Sequence, residues 1–336
     1  MAEQNADQAV HEAARAGMTH ELAEMLARDA SLIDARGMDA RTPLHCAGTV
    51  AVAALLLDHG ARIDARDEDH DSTPAQWRIG ESPDVARFLL ERGAKADIFL
   101  AAALGDLALA ERLVAEDRGC LAHRIGKRPE FPPLGHEGRG GTIYQWTLRF
   151  NSYPHQIALM KGRQEMFDFL YAESDVATRL LVNCVLARRA EAESIAKEHP
   201  EIVPQLPDVD RELVAKYCWE TNTDYDAVKL MLDLGFPVAH PEHSHGYTPL
   251  HNAAWAGSGD LVDLLISRGH PVDIRDPGYD ATPLGYALHD CVVEKRHPEG
   301  EFARVVKALL EAGSPRKNVR YPTGDASIDD VLQAYF

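Results

Sequence analysis

Thr248-Pro249-Leu250-His251-Asn252-Ala253 is the stretch that decides the fold, because the chain contains it again as Thr42-Pro43-Leu44-His45-Cys46-Ala47. Thr282-Pro283-Leu284-Gly285-Tyr286-Ala287 keeps the frame with Gly in place of His, and Thr73-Pro74-Ala75-Gln76 is a weaker copy. Thr42 and Thr73 lie 31 residues apart, and Thr248 and Thr282 lie 34 apart. Each residue type has a local reason. Thr is a good N-cap whose hydroxyl takes an orphan amide of the first turn. Pro at the next position has no N–H to waste and a φ already suited to a helix. Leu and Ala then give a face of small residues on which neighbouring helices can approach closely.

A second motif follows the first. Leu55-Leu56-Leu57-Asp58-His59-Gly60-Ala61 matches Phe88-Leu89-Leu90-Glu91-Arg92-Gly93-Ala94, and Leu264 to Gly269 and Leu309 to Gly313 share the form. The paired Leu residues fit the apolar stripe of a second helix. The Gly after them suits the left-handed position that ends a helix. Short polar returns such as Arg62-Ile63-Asp64-Ala65-Arg66-Asp67 predict hairpin-like turns.

With both motifs in place the chain resembles the ankyrin-repeat family, whose period is about 33 residues. The resemblance spans roughly residues 8–316 and implies an all-α solenoid of about nine helix pairs with short β-hairpin-like turns. It implies one domain over 1–336, with an inserted loop at about 126–151 and a C-terminal cap at about 326–336. Diverged repeats with an insert look like the bacterial rather than the animal members. Family members bind protein or peptide partners on a concave surface made by first helices and turn tips.

Composition bounds the function. The chain of 336 residues carries 35 Lys and Arg against 53 Asp and Glu, a net charge of −18 with His neutral. That excess argues against a nucleic acid or an anionic membrane surface as main partner, and favours a neutral or basic protein. The longest apolar run, 50–57, is far below the ~20 residues that span a bilayer. The polar first ten residues lack the pattern of a secretory signal, and five scattered cysteines suggest free thiols, so the expected location is cytoplasmic.

Departures from the repeat are where function is expected. The insert GKRPEFPPLGHEGRGGTIYQWTLRFN carries Tyr144, Trp146 and Arg149, and 142–148 reads as a short strand within a flap over the groove. His136, Glu137 and Arg139 sit in a glycine-rich stretch, 135–141, that lacks the phosphate-loop signature but could form a small anion nest. Between Thr42 and Gly60 the unit is three residues shorter than between Thr248 and Gly269, so its first helix or turn is trimmed. Between Asp290 and Glu301 the inter-helix turn is long.

Glu242-His243-Ser244-His245 and the acidic tip 67–71 read as turns rather than metal sites, since neither offers a complete ligand set. No nucleophile elbow or zincin pattern is present, no cofactor is implied, and the reading leans away from an enzyme. Carried over position by position, Trp77, Asn252 and Tyr286 each lie four residues after their Thr, and Trp255 and His289 each lie seven after. With Tyr144, Trp146, Arg149 and His155 these are the candidate groove residues, because Trp and Tyr are enriched at binding hot spots. The rival reading is a small-molecule-binding protein or enzyme whose site lies between the groove and the insert, beside Trp146, Trp77 and His155.

Overall fold

A computed structural model describes residues 2–133, 136–219, 223–243, 245–317 and 319–336. Every named element is a helix, and no strand occurs among the described residues. The chain divides into two compact units, Met1–Ser174 and Asp175–Phe336.

The first unit contains five helix pairs. They are Ala2–Ala16 with Thr19–Arg28, Pro43–Cys46 with Val50–Asp58, Pro74–Glu81 with Pro83–Glu91, Ile98–Leu104 with Leu107–Glu116, and Pro154–Met160 with Gln164–Glu173. The trimmed unit is trimmed in its first helix: Pro43–Cys46 is a single 3₁₀ turn.

In the second unit the pairs are Val176–Val185 with Arg189–Glu198, a broken first helix (Asp208–Arg211 and Leu213–Lys216) with Tyr225–Asp233, Pro249–Trp255 with Gly259–Ser267, and Pro283–His289 with Phe302–Glu311. Ala326–Leu332 caps the end. Among the described residues this makes nine pairs, the count expected from the repeat. No helix of the described residues is long and apolar enough to cross a membrane.

The motif residues act as their chemistry requires. The amides of Thr42 and Thr248 donate to Nδ1 of His45 and His251, while Nε2 of each ring reaches the next turn, at the carbonyls of Ser72 and Ala281. Where the sequence has Gln, the side chain takes over. Gln76 Oε1 accepts the Thr73 amide while its Nε2 donates to Asp97, and Gln156 Oε1 accepts the amide of Tyr153.

Four returns close just before a repeat Thr: the amides of Asp67, Glu242 and Asp276 donate to the carbonyls five residues on, at Ser72, Tyr247 and Ala281, and the Gly37 amide donates to Arg41 O four residues on. At the second helix ends, Gly60 has φ +91 and the Ala61 amide closes back on Leu56 O. A β-carbon there would be strained by the backbone alone.

Burial sets the protonation of four buried histidines. It pushes His45, His155 and His270 down to about 4, and His251 down as well. A ring neutral in the fold but free to charge when unfolded stabilises fully above about pH 6.5, and that contribution is lost as pH falls toward 4. Carboxylates titrate mostly below this window. The melting temperature should therefore fall already between about pH 6.5 and 4.5. His45→Gln, copying Gln76, should flatten that slope while leaving the melting temperature near pH 7.5 little changed. A slope unchanged by His45→Gln would show that the acid sensitivity arises elsewhere.

Candidate functional site

In the second unit the repeat frame brings aromatic residues onto one groove. Trp255 and His289, each seven residues after its Thr, stack with ring centroids 6.0 Å apart and planes 23° apart. Tyr286 meets Trp255 edge-on at 6.0 Å and Tyr247 at 5.4 Å. Tyr247 in turn lies parallel to Trp219 at 6.4 Å and to His245 at 5.2 Å. The groove has a volume of about 560 Å³, and Glu294 and Arg296 close one end. Arg296 sits 5.8 Å from the Trp255 ring centroid. Trp219, Tyr247 and Trp255 are half-buried, Tyr286 forms the buried back wall, and His289 is exposed. Aromatic rings presented this way offer large contact area at low entropic cost.

The long turn after Pro283–His289 shapes that end. The helix continues as a π-helical turn, Asp290–Glu294, and stops at Lys295 with φ +54. The fully buried Asp290 carboxylate accepts the amides of Arg296 and His297 at 3.3 Å each and lies 3.2 Å from His297 Nδ1. That anchoring holds Arg296 against Trp255.

Three candidates lie elsewhere than expected. Asn252 is buried and its Nδ2 donates to Ala215 O at 3.0 Å, so it ties two first helices together instead of facing the groove. His155 is fully buried, with Nε2 at 2.9 Å from Ser174 Oγ. It occupies the Leu position of its repeat, which points inward. Tyr144 is fully buried among Phe99 and Phe131, and its hydroxyl donates to Asp97 Oδ2 at 2.7 Å.

Tyr144 anchors the insert. The stretch expected as a strand is a π-helical turn, Gln145–Arg149, laid against the first helix Pro74–Glu81. Gly80 makes room for it, since a β-carbon there would stand 2.9 Å from Thr147 Cβ. The glycine-rich stretch is clasped rather than open: the Gly140 amide donates to Asp69 O and Oδ1, and the Gly141 carbonyl meets His70 Nδ1 at 2.9 Å. Gly135 and the His136 side chain lie outside the described residues. Glu137 and Arg139 are exposed, beside Arg66, Lys95 and Arg128 on a second cleft. Arg149 is half-buried.

Trp77 and Trp146 do come together, lining a pocket between the insert and the first helices of the first unit. Trp77 is half-buried, with Nε1 donating to Asp67 Oδ1 at 3.2 Å; Trp146 is 66% exposed. The acidic turn tip is thus partly buried: Asp67 accepts the amides of His70 and Ser72 at 2.7 Å each. Ser244 of the other turn lies outside the described residues. Its neighbour Glu242 is buried on Lys216 Nζ at 2.6 Å rather than solvated.

Sequence reasoning missed Trp219, Tyr247 and Arg296. Tyr247 could have been found from the frame, since it immediately precedes Thr248 at the turn tip. Trp219 lies in a diverged pair with no motif to place it.

The ankyrin repeat family matches residues 39–68 and 245–277, one stretch in each unit. The human ASB11 ankyrin repeat domain is 21% identical, over 91% of this chain and 98% of that one, with a TM-score of 0.31. At that score the likeness carries no argument, and the fold rests on the repeats themselves. No curated protein matches. The class defined is an all-α protein of ankyrin-type helix pairs, and ankyrin repeats generally mediate contacts between proteins.

Proposed function

We propose that the chain is a protein- or peptide-binding module and that the groove of the second unit is a binding surface. The observation that carries this reading is the run of rings from Trp219 through Tyr247 and Tyr286 to Trp255 and His289, joined across three successive pairs. A row of rings spread over three pairs suits an extended segment better than a compact small molecule. The net charge of −18 supports a neutral or basic segment, steered by the field of the whole chain.

Photo-crosslinking tests this. A benzophenone amino acid at position 289 should yield a covalent adduct with one polypeptide in the protein's own host extract, whereas the same group at position 307, on an exposed second helix, should not. Equal adducts from both positions would place the binding surface elsewhere.

A further inference from the structure

Three arginines converge in the first unit of a chain that is otherwise strongly acidic. Arg15 from Ala2–Ala16, Arg41 just before Thr42, and Arg78 from Pro74–Glu81 line one pocket of about 470 Å³ with Trp77 and Trp146. Glu81 is the only acid among the described lining residues.

Arg78 is 4% exposed, and its Nε is buried with no hydrogen-bond partner among the described residues. One terminal nitrogen pairs with Glu81, whose side chain is 76% exposed. A guanidinium cannot shed its charge, and its planar fork is matched by two oxygens rather than one. The resident pair therefore leaves the buried side of the fork unused. Arg41 lies 4.6 Å from the Trp77 ring centroid, with Nε donating to Met38 O and a terminal nitrogen 3.6 Å from Asp39. Arg15 is exposed and reaches the Cys46 sulfur at 3.8 Å.

We propose that this pocket is a binding site for a carboxylate carried on a flat apolar group. The carboxylate replaces Glu81 on the Arg78 terminal nitrogen, with Arg15 and Arg41 completing the charge, and releases the exposed Glu81 side chain to solvent. The apolar group lies on the exposed face of Trp146. The resident partner of Arg78 is itself a carboxylate, and in a chain of net charge −18 a monoanion is cheaper to bring in than a dianion. Such a carboxylate belongs either to a small aromatic acid or to an acidic side chain beside an aromatic one in another protein. This site is independent of the groove in the second unit.

Calorimetric titration of the full chain at low salt, with benzoate and with an acetylated glutamyl-phenylalanyl peptide amide as probes, tests the proposal. At least one probe should bind saturably, and the tighter of the two identifies the source. Arg15→Gln with Arg41→Gln, neither a core position, should weaken that binding at least tenfold at unchanged melting temperature, whereas Trp255→Ala should leave it intact. No saturable binding, or binding undiminished in the double variant, overturns the site. Tighter binding of phenyl phosphate than of benzoate overturns the carboxylate assignment.

Discussion

Glu242→Gln should destabilise the second unit by about 3 kcal/mol or more, the largest effect expected of any near-isosteric substitution in the chain. Glu242 occupies the turn position held by Asp67 and Asp276 in other repeats, where the carboxylate accepts amides of its own turn. Here it reaches away from the turn to Lys216 Nζ at 2.6 Å, with both side chains under 10% exposed. Burial alone would push the Glu242 carboxyl up, but His245 and Lys216 outweigh it and hold the group below the usual carboxylate range. Removing the charge takes the 2.6 Å carboxylate away from a buried ammonium. Lys216→Met combined with Glu242→Gln should recover much of the loss, because that buried charge is then gone. Denaturant melts of the single and double variants measure both quantities. A single-variant loss below about 1 kcal/mol would mean that solvent or another acid compensates Lys216.

Tyr144→Ala should cost the first unit about 3–5 kcal/mol, as for other large aromatic truncations in a core. The ring is fully buried, 5.5 Å from Phe99 and 5.8 Å from Phe131, which meet edge-on at 4.8 Å. Its hydroxyl shares Asp97 Oδ2 with Gln76 Nε2, while Asp97 Oδ1 caps the helix beginning at Ile98. Burial first, and Asp97 beside it, hold the phenol well above its ordinary pKa, so it remains a donor. Tyr144→Phe keeps the ring and should cost only about 1–2 kcal/mol, the share of the buried hydrogen bond. The alanine variant should also free the insert, seen as faster tryptic cleavage after Arg139 and Arg149. An insert equally resistant in Tyr144→Ala would mean that the clasp at Gly140 holds it unaided.

The repeat was legible wherever Thr, Pro and the N3 residue survive, because capping is local chemistry. The second helices were legible from their paired Leu and closing Gly. The same frame put Trp255 and His289 on one face, and they stack. It misled at Asn252, four residues after Thr, whose side chain bonds the neighbouring first helix, while Tyr286 at the same position forms the back wall of the groove. The insert was legible only as an insertion. Whether its aromatic residues face in or out depends on partners 45 residues or more distant, Phe99 and Asp97 for Tyr144, and no local pattern encodes that. The arginine pocket was invisible for the same reason, since Arg15, Arg41 and Arg78 come from three different repeats.

Native mass spectrometry of the protein purified gently from its own host, as wild type and as Trp255→Ala with Trp219→Ala, tests the binding role most directly. The wild type should appear as a complex with one polypeptide and the variant as the free chain, at equal melting temperatures. A polypeptide retained by the variant, or a wild type carrying only a small molecule in the groove, would contradict that role.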